Sequence, residues 1–169
     1  MRYTLQSGIL TAESSGQVLA KIKSSVVGPG KTICGSDDGL MLKIHICPRN
    51  VQSGRAGDVC DKAYIMEDAS GKRMMEGWPE YSAAGPICTL PRINHAVIAA
   101  EGETYCLTMH NCQYYSMRDA AGQGLLSILH RGIVGGWNLE DHKGFAPEIL
   151  CGIFAFCRYL EQENEFLVI

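Results

Sequence analysis

One apolar segment near the C-terminus, 149–157, constrains the fold more than any other part of the chain. Pro147 is typical of the first turn of a helix, and Glu148 complements the positive N-terminal end of a helix. Placed on a helical wheel, the nine residues that follow leave no polar face. A helix that is apolar all round must be surrounded by protein or lipid, and this one is far shorter than the ~20 residues that span a bilayer. We therefore predict a helix at about 146–162 that the rest of the chain encloses. The alternative is a surface helix with an unusually wide apolar stripe.

A short turn recurs along the remainder of the sequence. An acidic or polar residue, two small or polar residues and a glycine stand together at 13–16, 36–39, 68–71 and 119–122, with a looser copy at 99–102. Asp or Ser at the first position of a type I turn bonds its own backbone, and glycine at the fourth position accepts a positive φ. These segments are typical of hairpin tips.

Apolar residues at alternate positions flank these turns, as in 18–23 and 40–47. A period of two gives each strand one buried face and one solvent-exposed face. The pattern recurs as far as 133–139, which makes about ten to twelve short strands. A meander of that length closes into a barrel or folds into a sandwich, and closure removes exposed strand edges. The sequence thus predicts a mostly β fold, a closed antiparallel barrel of about 10–12 strands around the single apolar C-terminal helix, as one domain over 1–169.

Three stretches lie outside this alternation. Residues 48–61 and 82–91 are rich in Gly, Pro or polar residues and are predicted to be loops. The last four residues, 166–169, are apolar again after an acidic segment, and we expect them to dock as a short strand.

Composition limits the classes of partner. The chain has 46% hydrophobic and 20% charged residues. Its net charge of −3 gives no overall electrostatic attraction to the phosphates of nucleic acid. The first residues lack the apolar run of a signal peptide, no segment is long enough to cross a membrane, and we expect a cytoplasmic protein. In that setting the eight cysteines are expected to be reduced, most of them as buried thiols that behave as small hydrophobic residues.

A β-meander followed by one apolar helix resembles the tubby C-terminal-like superfamily, which includes tubby proteins, phospholipid scramblases and plant LURP-one-related proteins. Segments 13–22 and 37–44 look like two copies of the LURP-one-type repeat, in which an acidic residue, a short turn and a glycine precede an alternating apolar strand that ends in Ile. The resemblance implies a barrel threaded by the helix at 147–160. It also implies a non-enzymatic domain, without a cofactor, that binds a lipid, a small ligand or a protein partner.

Phospholipid head groups enter as candidate ligands through this resemblance, because tubby proteins bind phosphoinositides through clustered Lys and Arg. Lys21, Lys23 and Lys43 fall on outward-facing strand positions and would meet if their strands are neighbours, with Arg2 or Lys31 nearby. These three lysines are the candidate anion contacts. The structural alternative is that exposed strand lysines provide solubility and protect strand edges.

The alternative function is a Cys/His enzyme or metal protein centred on residues 106–112. Cys106, His110 and Cys112 surround one predicted hairpin, where two thiols and an imidazole could hold a metal or pair a nucleophile with a base. The spacing lacks the close cysteine pair of a structural zinc site, and no known catalytic motif occurs in the sequence. We therefore assign no catalytic residue and no metal ligand.

Two other polar or glycine-rich groups receive structural interpretations. Glu140, Asp141 and His142 form a polar loop that could be a general acid-base cluster. The simpler explanation is that the acidic side chains mark the start of the helix, because they favour its positive N-terminal end. The glycines at 132, 135 and 136 are interpreted as strand curvature at a barrel corner.

Overall fold

The fold is a barrel of twelve strands and one helix, seen in a computed structural model that describes residues 1–25, 28–48, 62–81 and 93–165. The strands β1 to β12 are Arg2–Gln6, Ile9–Ala12, Val18–Ser24, Lys31–Gly35, Leu40–Pro48, Lys62–Asp68, Arg73–Tyr81, Ile93–Ala100, Glu103–Asn111, Tyr114–Asp119, Gly124–His130 and Trp137–Asp141. A 3-10 helix spans Gly132–Val134, and the α-helix α1 spans Pro147–Glu165. Of the loop predicted at 48–61, Pro48 is the last residue of β5, and the remainder lies outside the described residues, as do the predicted loop at 82–91 and the predicted strand at 166–169.

Each strand pairs antiparallel with the next one along the chain, and β1 pairs with β12 to close the barrel. At the closing seam Tyr3 lies opposite Leu139, and both side chains point into the core. Alternate residues of the wall are buried, as the period of two requires, for example Leu42 and Ile44 on β5. The predicted closed antiparallel barrel is confirmed, with twelve strands.

Helix α1 lies among the inward-facing side chains of the wall, and from Leu150 to Leu160 only Phe154 and Arg158 are half-buried. Its buried side chains are Leu150, Cys151, Ile153, Ala155, Phe156, Cys157, Tyr159 and Leu160. The contact is close, because a Cβ added at Gly152 would collide with Met66 on β6, and one at Gly77 on β7 would lie 3.3 Å from the Phe156 ring. The helix is therefore enclosed rather than lying on the surface. In the part of the chain that the structure describes, no helix is long and apolar enough to span a membrane.

The helix continues to Glu165, three residues beyond the predicted end at 162. Polar contacts with the wall explain the extra length. Lys62 donates to Glu163 at 2.9 Å, and the Asn164 amide both donates to Ile93 O at 2.7 Å and accepts from Ile93 N–H at 3.2 Å. The polar residues at the C-terminal end of the helix bond the ends of the wall strands, so their polarity does not mark the end of the helix.

The predicted hairpin tips all lie at one end of the barrel, which we call the turn rim, because they follow every second strand of the meander. In the turn after β6, Asp68 Oδ1 accepts from the N–H groups of Ser70 and Lys72 at 2.8 and 2.9 Å, and Gly71 has a φ of +87°. The turn after β4 differs from the prediction, because its positive φ falls on Asp38 at +66° rather than on Gly39.

The opposite end, the loop rim, holds the connection between β11 and β12 and the C-terminal end of α1. Here the strand predicted at 133–139 is wrong in its first half. Gly132, Gly135 and Gly136 have φ values of +61°, +74° and +82°, which a strand does not accept, so the chain forms a 3-10 turn and β12 begins only at Trp137.

Candidate functional site

The outer surface is where candidate binding residues lie, because α1 occupies the centre of the barrel. One open groove of about 210 Å³ crosses strands β1, β11 and β12. Its lining includes Arg2, Glu13, Ser127, Leu129, Asn138 and Glu140. Arg2 and Glu140 pair across this groove at 3.3 Å, so Arg2 is engaged there and is not part of the predicted lysine cluster.

The predicted lysines occupy three neighbouring strands. Lys23 on β3 lies opposite Thr32 on β4, and Thr32 in turn lies opposite Lys43 on β5. Directly opposed residues of antiparallel strands share one face of a sheet, and two strand spacings put the Lys23 and Lys43 backbones about 10 Å apart. Lys21 is two residues before Lys23 and shares its face. We call Lys21, Lys23, Thr32 and Lys43 the lysine row.

Asp38, at the tip of the turn after β4, neutralises part of this row. Its Oδ1 atom accepts from Lys21 Nζ at 3.1 Å and from Lys23 Nζ at 3.0 Å. The hydrogen bonds from Lys23 and then Lys21 lower the pKa of Asp38, and the same bond to Asp38 raises the pKa of Lys23. Two of the three lysines are therefore held in an ion-pair cluster by one carboxylate.

Lys43 is the least engaged of the three lysines. It is exposed, and it forms no salt bridge or side-chain hydrogen bond with any other residue in the described ranges. Its cross-strand neighbour on β6 is Glu67. Lys31, which we expected nearby, instead donates to Ser24 Oγ at 3.0 Å at the loop-rim end of β4.

The Cys106, His110 and Cys112 group does not converge. Cys106 lies in β9 opposite Arg118, whereas Cys112 lies in the turn beyond the other end of β9. Six residues of extended chain separate the two cysteines by roughly 20 Å. His110 Nε2 instead lies 2.8 Å from Ser116 Oγ. Over the described ranges, no group of three or more His, Cys, Asp or Glu residues is arranged to hold a metal.

The six described cysteines are free thiols in three environments. Cys34, Cys151 and Cys157 are buried, Cys47 and Cys106 are half-buried, and Cys112 is exposed. Burial inside the barrel raises the pKa of Cys151 to about 12 and raises that of Cys157 further. Neither helix thiol is a nucleophile at neutral pH.

The predicted polar loop at 140–142 is instead mostly the end of β12, which includes Glu140 and Asp141, and its residues do not assemble an acid-base cluster. Glu140 faces outward to Arg2, whereas Asp141 is buried and its Oδ1 atom accepts from the N–H groups of Lys143 and Gly144 at 3.1 and 3.0 Å. His142 is exposed. The two carboxylates therefore serve an ion pair and a turn.

Sequence reasoning missed an exposed pair of apolar residues. Ile133 is fully exposed and Val134 is 66% exposed, in the turn between β11 and β12. The signal that could have found them is the set of glycines on both sides, since a β-branched pair between glycines fits a projecting turn as well as a curved strand.

The comparisons with known proteins identify no relative: the chain matches no family model, no curated protein and no solved structure. The geometry of the outer surface is therefore the basis for a functional proposal.

Proposed function

We propose that this chain is a non-enzymatic binding domain whose lysine row recognises phosphate-bearing anionic groups, with membrane phospholipid head groups as the ligand class. The observation that carries the proposal is the register that aligns Lys23, Thr32 and Lys43 across three strands. Two ammonium groups with a hydroxyl between them offer several donors to a phosphate. The resemblance to tubby-like barrels supports the same ligand class.

The proposal predicts weak binding in the native protein. An exposed cation adds little binding free energy near an anionic surface, and salt screens the attraction within about 8 Å at physiological ionic strength. Asp38 also offsets part of the charge of Lys21 and Lys23. We therefore expect weak or undetectable association with phosphoinositide vesicles at physiological salt, and measurable association that falls steeply as salt rises from a low value.

Asp38 provides the sharpest test, because removing its charge should strengthen binding. Asp38→Asn frees both lysines without removing a cation, so it should raise the affinity for phosphoinositide vesicles at every salt concentration. The combined variant Lys21→Glu, Lys23→Glu and Lys43→Glu should abolish binding. Lys72→Glu, at the turn after β6, is the matched control for the single variant Lys43→Glu, because each changes the net charge by about −2.

Sedimentation with vesicles measures these affinities, and a second arm with soluble inositol phosphates separates a head-group site from a requirement for the membrane surface. If neither Asp38→Asn nor the triple lysine variant differs from the native chain in its affinity for the vesicles, the lysine row is not an anion site and the proposal is wrong. Tight, salt-resistant binding by the native chain that the triple variant loses would show that our expected affinity is too low while the site is correct.

A further inference from the structure

The open groove on β1, β11 and β12 lies between two rows of outward-facing side chains. We call it the seam groove, because it lies where β1 closes the barrel against β12. In the first row Arg2 lies opposite Glu140, and Glu140 lies opposite Ser127. In the second row Asn138 lies opposite Leu129. Two residues along each strand separate the rows, so the rows are about 7 Å apart.

Main chain and one small side chain form the floor of the groove. Tyr3 and Leu139 line it although their side chains are buried in the core, so it is their main chain that faces the groove. Ser127 is half-buried beside them. Glu13 stands at the end of the groove near Arg2, because its N–H donates to Arg2 O at 3.1 Å. The result is a concave space of about 210 Å³ that is open on one side.

Three of the lining side chains have no partner within the described part of the protein. Glu13, Ser127 and Asn138 form no side-chain hydrogen bond or ion pair with any residue in the ranges that the structure describes. Arg2 and Glu140 are paired, but Arg2 Nε and Nη2 both donate to the same Glu140 oxygen, Oε1, at 3.3 Å. The other N–H groups of Arg2 are left for another partner. Convergent polar groups in a concavity that do not satisfy one another are typical of a ligand site.

Donors and acceptors are mixed in the groove, and this mixture decides the chemical class of the ligand. Glu13 and Glu140 only accept hydrogen bonds, Arg2 only donates them, and Ser127 and Asn138 do both. An ammonium ligand has no acceptor for Arg2, and an anion would face two carboxylates. A hydroxyl group both donates and accepts, and its bonds to carboxylates are short and charge-assisted. The lining therefore matches a neutral ligand with several hydroxyl groups.

Leu129 adds an apolar surface to this polar lining. It is 51% exposed and lies beside Asn138 in the second row. A pyranose ring carries C–H groups on its faces and hydroxyl groups around its edge. Leu129 can therefore cover one face of such a ring while the carboxylates and the amide bond its edge.

We infer that the seam groove binds a neutral saccharide, with one pyranose ring against Leu129 and its hydroxyl groups donating to Glu13 and Glu140. The inference goes beyond the proposed function, because the groove shares no residue with the lysine row and its ligand carries no charge. An affinity in roughly the millimolar range is expected, since an open groove covers only one side of the ligand. Binding should not depend on salt, because no net charge on the ligand is attracted.

Saturation-transfer NMR on the full chain tests the inference, with the methyl glycosides of glucose, galactose, mannose and N-acetylglucosamine as probes. At least one glycoside should give a signal of equal size at low and at physiological salt. Glu13→Gln keeps the size of the side chain and removes its charge, so it should weaken binding about tenfold. Ser127→Leu fills the groove and should abolish the signal. Thr104→Leu, at an exposed position of β9 outside the groove, is the matched control and should bind as the native chain does.

Thermal melting shows whether the variants are folded, and Glu13→Gln keeps the test valid if Ser127→Leu is unstable, because Glu13 is exposed. Absence of a signal with all four glycosides overturns the inference. A signal that neither groove variant reduces would place the saccharide elsewhere and overturn it as well. A signal from putrescine instead, lost in Glu13→Gln, would assign the groove to a cation. Failure of the lysine row to bind vesicles would leave this site standing, since no lysine contributes to it.

Discussion

The inside and the outside of the barrel wall follow different rules. Inside, Phe156 is fully buried and its ring lies 5.6 Å from that of Tyr64, while Gly152 leaves no room for a methyl group against Met66. Outside, Lys23 and Asp38 are exposed and paired with each other. The interior is specified by volume and the exterior by charge, so the two can change independently. Because α1 takes the space where many barrels hold a ligand, the candidate binding residues in the described ranges lie on the exterior.

The largest expected effect tests the interior. Phe156→Ala should lower the free energy of unfolding by about 3–5 kcal/mol, and Phe156→Asp should prevent folding, because the side chain is enclosed on all sides. Phe154 is the comparison: it is half-buried and packs on Trp137, so Phe154→Ala should cost clearly less. Denaturant unfolding measures both. Equal losses at the two positions would contradict the difference in enclosure.

Alkaline pH should also destabilise the interior. Cys151 has a pKa of about 12 in the folded chain, against 9.0 as the ordinary value. Above pH 9 the unfolded chain loses this proton and the folded chain keeps it, so stability falls as pH rises from about 9 to 12, by up to about 4 kcal/mol from this thiol. Tyr159, with its pKa also raised to about 12 by burial, acts in the same direction. Cys151→Ala should flatten the dependence measured by unfolding between pH 8 and 11. An unchanged slope would show that the thiol is not buried as a neutral group.

A smaller effect is expected at the turn rim. Asp119 Oδ1 accepts from Gln123 N–H at 2.8 Å and closes the turn after β10. Asp119→Ala should cost about 1 kcal/mol, because it removes one hydrogen bond at a solvated site. Asp119→Asn keeps the acceptor and should cost less. Thermal melting of the two variants gives the comparison, and equal stability of Asp119→Ala and the native chain would mean that the glycine at position 122 alone fixes the turn.

Thiol labelling compares cysteines inside and outside the barrel wall in the native chain, so no substitution is needed. Exposed Cys112 should react rapidly in the native chain, whereas Cys151 and Cys157 should react only after unfolding. Mass spectrometry after a short pulse of alkylating reagent identifies the modified residues. Rapid labelling of either helix cysteine at neutral pH would show that the helix leaves the barrel.

The sequence was most informative where one local rule decides the structure. The segment 149–157 has no polar face, so its enclosure follows from hydrophobicity alone, and the turn at 68–71 follows from its Asp and Gly. The Asp38 contacts could not be predicted, because they depend on the bulge beside Cys34 that shifts the register of β4 and β5. The exposed turn at Gly132–Val134 was missed because a strand was predicted over 133–139, whereas three glycines with positive φ give the chain a 3-10 turn there.

The separation of stability from binding is the central claim, and it is tested most directly by measuring both quantities on two paired variants. Phe154→Leu should lower the free energy of unfolding and leave low-salt sedimentation with anionic vesicles unchanged. The combination of Lys23→Gln and Lys43→Gln should change the free energy of unfolding by less than about 1 kcal/mol, because only exposed charges are removed, and it should abolish that sedimentation. The account is contradicted if the lysine variant unfolds at lower denaturant while still binding, or if the interior variant loses binding while still folded.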